Sequence, residues 1–77
     1  MTIRFFAAAR EAVGSAEMQM KFSTVNELIH ECSRGNDRKR RILDQCSYLV
    51  NGVVVHDRGE VINDNSQIDV LPPFAGG

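Results

Sequence analysis

The strongest structural signal in the chain is the stretch Tyr48-Leu49-Val50-Asn51-Gly52-Val53-Val54-Val55. Its two β-branched and aromatic runs favour strands, and Asn-Gly between them favours a type I′ turn, which needs positive φ at both central positions. Such a turn pairs Val50 with Val53, Leu49 with Val54 and Tyr48 with Val55. Leu49 and Val54 then share one face of the predicted hairpin, and the other four residues share the opposite face.

A further strand is predicted downstream of the hairpin. Asp57 to Asn65 is rich in turn-forming residues and is expected to be a loop in which Val61 and Ile62 turn inward. Gln67 to Leu71 then alternates as a strand. Its core-facing residues are Ile68 and Val70, and its outward-facing residues are Asp69 and Leu71.

This strand runs into a tail that ends in two glycines. Pro72 and Pro73 must end the strand because they have no N–H to donate to a ladder. Beyond Phe74 and Ala75, Gly76 and Gly77 form a slim arm. If Gly77 is the terminus of the protein, its carboxylate can enter a narrow site, and it would need conversion to an acyl adenylate before it could react. The alternative is an ordinary frayed terminus.

Two strands and a short helical turn are predicted at the start of the chain. Met1 to Ala7 alternates, with Ile3 and Phe5 on one face and Arg4 and Phe6 on the other. Ala8 to Val13 favours a helical turn closed by Gly14. Ala16 to Phe22 alternates again, and its closeness to the first strand favours antiparallel pairing.

The middle of the chain predicts one long helix. Thr24 and Glu27 have the spacing of a capping box, and an apolar stripe follows at helical spacing: Val25, Leu28, Ile29 and Cys32. Gly35 is expected to end this helix. The basic run Arg38 to Arg41 after it could be a patch for nucleic acid or an acidic partner, but the flanking Asp37 and Asp44 favour a solvated turn of helix.

Composition limits the possible functions. The chain has 77 residues, 43% of them hydrophobic and 25% charged, with a formal net charge of −1. This size allows one small domain that works with a larger partner, and the charge gives no reason to expect nucleic acid or a membrane as ligand. No signal peptide or membrane span is apparent, so a cytoplasmic location is the expectation. Cys32 and Cys46 are expected to be core residues, and no metal-ligand spacing is present.

Two end motifs carry a family resemblance that extends over essentially the whole chain. The stretch from Leu71 to Gly77, Leu-Pro-Pro-Phe-Ala-Gly-Gly, resembles the C-terminal signature of the small subunit of molybdopterin synthase, a ubiquitin-like sulfur carrier. The stretch from Ile3 to Gly14 resembles that family's first strand and the turn of helix after it. At Asp64-Asn65-Ser66 the family usually has an Asp-Gly-Asp type turn, and Asn tolerates the same left-handed conformation.

The element pattern ββαββ indicates an α+β protein, and the resemblance implies the β-grasp fold, a mixed sheet covered on one face by a helix. We expect the domain to span residues 1–71 and the extended reactive tail to span residues 72–77. The resemblance also implies a subunit that donates sulfur without catalytic side chains of its own.

The function implied by the resemblance is carried by the tail. A ubiquitin-activating-like adenylyltransferase would use ATP to adenylate Gly77, and a persulfide donor would supply sulfur to form a thiocarboxylate. The large subunit of molybdopterin synthase, as part of a heterotetramer, would transfer this sulfur to cyclic pyranopterin monophosphate in molybdenum cofactor biosynthesis. No bound cofactor is implied. Gly76, Pro72 and Pro73 would thread the tail. Open alternatives are a sulfur carrier for thiazole synthesis, a protein modifier and a non-catalytic binding module.

Strand alternation also predicts a docking face. Four outward-facing apolar side chains are expected to bind a partner: Phe6, Leu49, Val54 and Leu71. Arg10 is expected to add a polar contact at the rim, and Phe74 a contact from the tail. An exposed apolar patch on a small domain usually marks a partner surface. The alternative is that a loop or a second copy covers it.

Overall fold

The structure, a computed structural model, describes residues 1–73. In chain order its elements are β1 (Thr2–Phe5), α1 (Ala7–Val13), β2 (Glu17–Gln19), α2 (Val25–Cys32), α3 (Asp37–Gln45), β3 (Ser47–Val50), β4 (Val53–Val54) and β5 (Gln67–Leu71). Alternating apolar residues form the strands, α1 lies in the Ala-rich segment, and α2 lies in the capped, apolar-striped segment.

The strands form one mixed sheet in the order β2-β1-β5-β3-β4. β5 lies at its centre, parallel to β1 and antiparallel to β3. β1 and β2 are antiparallel, as the sequence predicts. This arrangement confirms the predicted α+β, β-grasp fold.

The β3–β4 hairpin has the predicted turn and register. Asn51 and Gly52 have φ values of 51° and 82°, the positive values that a type I′ turn requires. Val50 pairs with Val53 and Leu49 with Val54. Val55 also donates its backbone N–H to the Tyr48 carbonyl at 2.8 Å, so the pairing extends beyond the assigned strands.

The core lies between the sheet and the helices. All three helices in the described part of the chain contribute buried side chains to it, and the two core-facing residues of β5 are fully buried, as predicted. The largest buried side chains are Tyr48, Phe5, Phe22, Ile3, Leu28, Ile29, Leu43 and Ile68. At about 25 cal/mol per Å² of buried apolar surface, this cluster is the main source of stability.

The prediction of a single long helix is wrong, because α2 is followed by the separate helix α3. Thr24 caps α2 as predicted, accepting the Glu27 N–H at its Oγ1, 3.1 Å away, but α2 ends at Cys32 instead of continuing to Gly35. Asn36 caps α3 by accepting the Lys39 N–H at 2.9 Å. The run Arg38 to Arg41 therefore lies within a mostly exposed helix, in agreement with the solvated-helix interpretation.

The far end of α3 is held by a residue distant in sequence. Arg58 donates to the carbonyls of Asp44 at 3.0 Å and Cys46 at 2.8 Å. A cation near a helix C-terminus also interacts favourably with the helix dipole. Arg58 thus stabilises the C-terminal end of α3, a helix whose own sequence offers few apolar side chains to the core.

The long loop after β4 differs from its prediction at one position. Ile62 is buried and donates its N–H to the Ser23 carbonyl at 2.8 Å, but Val61 is 79% exposed. The expectation that Val61 turns inward is therefore wrong. The hydrogen bond to Ser23 holds the loop backbone at Ile62 against the segment before α2, where the Ile62 side chain joins the core and Val61 stays in solvent.

The two cysteines agree with their predicted places in or beside the core. Cys46 is buried, and Cys32 is partly buried and packs against the core cluster. Both thiols are free. Burial raises the pKa of each thiol above its ordinary value, which lowers the fraction of reactive thiolate.

Candidate docking face and root of the tail

The central strand leads directly to the tail. β5 is hydrogen-bonded on both sides, ends at Leu71 and is followed by the half-buried Pro72 and the exposed Pro73. Three residues with predicted roles, Phe74, Gly76 and Gly77, lie outside the described residues, so those roles stay predictions. The tail therefore starts from a strand whose backbone is held by hydrogen bonds to β1 on one side and to β3 on the other.

The predicted docking residues share the outer face of the sheet, away from the helices. Phe6 is 38% exposed and Val54 is 49% exposed, and Leu49 and Leu71 are half-buried. Phe6 lies beside the end of β5, because its N–H donates to the Val70 carbonyl at 3.1 Å. The sheet thus brings Phe6 and Leu71 together at the root of the tail, and it places Leu49 opposite Val54 in the hairpin.

A charged pair also occupies this face. Arg4 Nε donates to Asp69 Oδ1 at 2.8 Å and Arg4 Nη2 to Asp69 Oδ2 at 3.0 Å. The Arg4 guanidinium carbon lies 5.5 Å from the centre of the Phe6 ring, a distance typical of cation–π contact. Asp69 is paired with Leu49 across β5 and β3. The apolar residues therefore border an ion pair instead of forming an uninterrupted patch.

The pair is held by strand register as well as by charge. Arg4 lies directly beside Asp69 in the parallel β1–β5 ladder and opposite Glu17 in the antiparallel β1–β2 ladder. The hydrogen bond and the charge of Asp69 raise the pKa of Arg4 above its ordinary value, and Glu17 adds a smaller effect. These contacts hold the guanidinium in place on the outer face of the sheet.

Sequence reasoning missed this pair as a feature of the site. Alternation alone puts Arg4 on the face of Phe6 and Asp69 on the face of Leu71. Predicting their contact also requires knowing that β1 and β5 are parallel neighbours. The local sequence does not show this, because the two residues are 65 positions apart.

Arg10, the predicted polar rim contact, lies in α1 one helical turn after Phe6. It is exposed, near the end of α1, and its backbone N–H donates to the Phe6 carbonyl at 3.4 Å. Ala7, the first residue of α1, has a φ of 48°, an uncommon value for a residue other than glycine. This sharp turn leads from the strand that carries Phe6 into the helix that carries Arg10.

Residues 1–73 lack two other kinds of feature. They contain no group of three or more His, Cys, Asp or Glu side chains arranged to hold a metal ion. None of the helices in this part of the chain is long and apolar enough to cross a membrane.

A β-grasp sheet with an exposed outer face and a tail leaving its central strand defines the class of ubiquitin-like proteins. Within that class, the chain belongs to the ThiS family of sulfur carriers, whose family model matches residues 3–77. This confirms the recognition of the chain as a ubiquitin-like sulfur carrier. No curated protein matches the chain with statistical significance.

Several solved structures share this fold. A candidate subunit 1 of molybdopterin converting factor from Pyrococcus furiosus is 23% identical, with a TM-score of 0.77 over 95% of each chain. A complex of subunits 1 and 2 of that factor from Helicobacter pylori contains a similar chain, 21% identical, with a TM-score of 0.67 over 99% of this chain and 96% of that one. The small archaeal modifier protein 1 of Methanosarcina acetivorans is 19% identical, with a TM-score of 0.79 over 99% and 94%. At these identities the similarity establishes the fold.

Proposed function

We propose that this protein is the sulfur carrier subunit of molybdopterin synthase. The observation that carries the proposal is the exit of the tail from the central strand, with Phe6 and Leu71 at its root. A partner that binds the outer face would receive the Gly-Gly end in a defined direction. Membership of the ThiS family and similarity to the Pyrococcus and Helicobacter proteins support this role.

The proposed chemistry takes place on Gly77. Its carboxylate would attack the α-phosphorus of ATP in the site of an adenylyltransferase, releasing pyrophosphate and leaving an acyl adenylate. A persulfide sulfur would then attack the acyl carbon and displace AMP. Reduction of the resulting S–S bond by a thiol would leave the thiocarboxylate that donates its sulfur to cyclic pyranopterin monophosphate.

The other residues would guide the tail and dock the domain. Gly76 would keep the approach to Gly77 slim, and Pro72 and Pro73 would hold the tail extended, at ~3.1 Å per residue, which reduces the entropy lost on threading. The large subunit, in a heterotetramer, would supply the catalytic side chains. Its contacts would be the outer-face residues Phe6, Leu49, Val54 and Leu71, with Arg10 at the rim and Phe74 on the tail.

Reconstitution with an adenylyltransferase, ATP and a sulfide source tests the proposal. Mass spectrometry of the intact protein should show replacement of one oxygen by sulfur at Gly77. A variant with one residue added after Gly77 should fold equally well and gain no sulfur, because the glycine carboxylate would no longer exist. Sulfur gained equally by the extended variant would refute the mechanism.

A second candidate is a ubiquitin-like protein modifier, which the similarity to small archaeal modifier protein 1 favours. Here the activated Gly77 would acylate lysines of other proteins. The same reconstitution, supplied with the large subunit and cyclic pyranopterin monophosphate, separates the two candidates. A sulfur carrier for molybdopterin yields the dithiolene product. A carrier for thiazole synthesis gains sulfur but forms no dithiolene, and a modifier gains sulfur or an adenylate but likewise forms no dithiolene. A binding module gains neither.

A further inference from the structure

The Arg4 guanidinium uses only one of its two hydrogen-bonding edges. Nε and Nη2 form the side-on edge and donate to the two oxygens of Asp69. Nη1 and the second N–H of Nη2 form the end-on edge, and among the described residues 1–73 the side-chain hydrogen bonds of Arg4 are the two from Nε and Nη2. Arginine presents five N–H groups in a fixed planar arrangement, so this edge points in a set direction once Asp69 holds the other.

A partner on the outer face would take this edge out of water. The Arg4 side chain is 42% exposed and that of Asp69 is 17% exposed, and apolar residues on the same face border them. A buried donor without an acceptor costs much of its hydration free energy. A stable interface therefore needs an oxygen opposite the end-on edge of Arg4.

The charges around Arg4 indicate what kind of oxygen this is. Asp69 and Glu17 both flank the guanidinium, so the combined charge of Arg4, Asp69 and Glu17 is already negative. A carboxylate from the partner would add like charge in a partly desolvated site. A neutral backbone or amide carbonyl would satisfy the edge without that cost.

We propose that Arg4 is a specificity-determining residue of the docking face, whose end-on edge donates to a neutral carbonyl oxygen of the large subunit, and that Asp69 is its positioning residue. This inference rests on the proposed function, since it concerns the same partner. It assigns the polar centre of the face a role in recognition beyond that of the surrounding apolar residues.

The double variant R4L/D69A tests the proposal by the sign of its effect. It removes both charges at once, so no buried charge is left unpaired. If the pair only supports the fold, a more apolar face should bind the purified large subunit as tightly as the parent or more tightly. If Arg4 recognises a carbonyl, affinity measured by titration calorimetry should fall at least about tenfold at unchanged thermal stability.

Two further variants complete the test. The exchange R4D/D69R keeps an ion pair but moves the guanidinium to β5, and it should also bind at least about tenfold more weakly. The control K21L/D64A removes an exposed ion pair of 3.1 Å and should bind like the parent. Parent-like binding by either Arg4 variant would overturn the inference while leaving the proposed function intact.

The salt dependence tests the neutral acceptor, and the parent protein tests the proposed function. Affinity should fall with ionic strength equally in the parent and in R4L/D69A, and a steeper loss in the parent would contradict a neutral acceptor. If the parent itself fails to bind the large subunit, the proposed function is refuted, and the inference with it.

Discussion

Tyr48 is the one tyrosine of the chain, and its hydroxyl is buried beneath α3. The hydroxyl donates to the Leu43 carbonyl at 2.7 Å, and the Arg58 guanidinium carbon lies 5.1 Å from the centre of the ring. Arg58 thereby contacts both the end of α3 and the strand that follows it. Burial raises the pKa of the phenol far above its ordinary value, because the phenolate would lose its hydration.

This burial predicts a loss of stability at alkaline pH. Above the unfolded-state pKa of about 10, the unfolded chain releases the Tyr48 proton and the folded chain keeps it. The contribution of Tyr48 to folding is therefore fully present below that pH and falls by about 1.4 kcal/mol per pH unit above it. Urea unfolding across this range should show the fall, and phenolate absorbance should appear only with unfolding.

The matched control is Tyr48→Phe, which keeps the ring and removes the proton. Its unfolding free energy should be lower near neutral pH by about 0.5–1.5 kcal/mol, for the lost hydrogen bond. It should show less decline above the phenol's ordinary pKa than the parent. An equally steep decline in both proteins would assign the alkaline effect to other groups.

The β3–β4 hairpin depends on Asn51 for more than its turn. The Asn51 N–H donates to the Gln67 carbonyl at 2.8 Å, and its Oδ1 accepts the Gln67 N–H at 2.9 Å. The turn residue therefore also holds the first residue of β5.

Asn51→Ala should lower the free energy of unfolding by about 1–3 kcal/mol, through the left-handed conformation and the lost side-chain acceptor. Asn51→Asp keeps an acceptor and tolerates that conformation, so it should lose much less. Chemical unfolding of the two variants measures the difference. Equal losses would show that the bond to Gln67 contributes little.

The elements predicted well from sequence are those that local chemistry determines. The hairpin follows from Asn51 and Gly52, and the start of α2 follows from Thr24. Only a solvated turn of helix was expected where α3 lies, and its full length was missed because its apolar anchors are few and Arg58, which holds its end, is distant in the chain. Both Val61 and Ile62 were expected to turn inward, and only Ile62 is buried; its position depends on the contact with Ser23, which a local pattern cannot reveal.

The candidate site shows the same division. The outer-face positions of Phe6 and Leu71 follow from alternation within single strands. Predicting the pairing of Arg4 with Asp69 requires the order of the strands in the sheet. Local sequence patterns do not reveal that order. The roles of Phe74, Gly76 and Gly77 remain predictions.

Across the domain as a whole, one docking face should serve both partners in turn. Phe6→Asp and Leu71→Asp, made separately, should fold and bind both the adenylyltransferase and the large subunit at least about tenfold more weakly, since each places a charge in an apolar contact. Val53→Asp is the control, because Val53 is 69% exposed and belongs to the opposite face of the hairpin. Calorimetry that shows parent-like affinity for the large subunit in either variant would refute the face assignment.

The central position of β5 also determines how the domain bears mechanical load. A partner that draws on the tail pulls β5 along its own axis, against ladders with β1 on one side and β3 on the other. Both ladders are then loaded in shear, so their hydrogen bonds share the force instead of opening one after another. We therefore expect the sheet to stay folded when a partner pulls on the tail, as the proposed transfer between two enzymes would require.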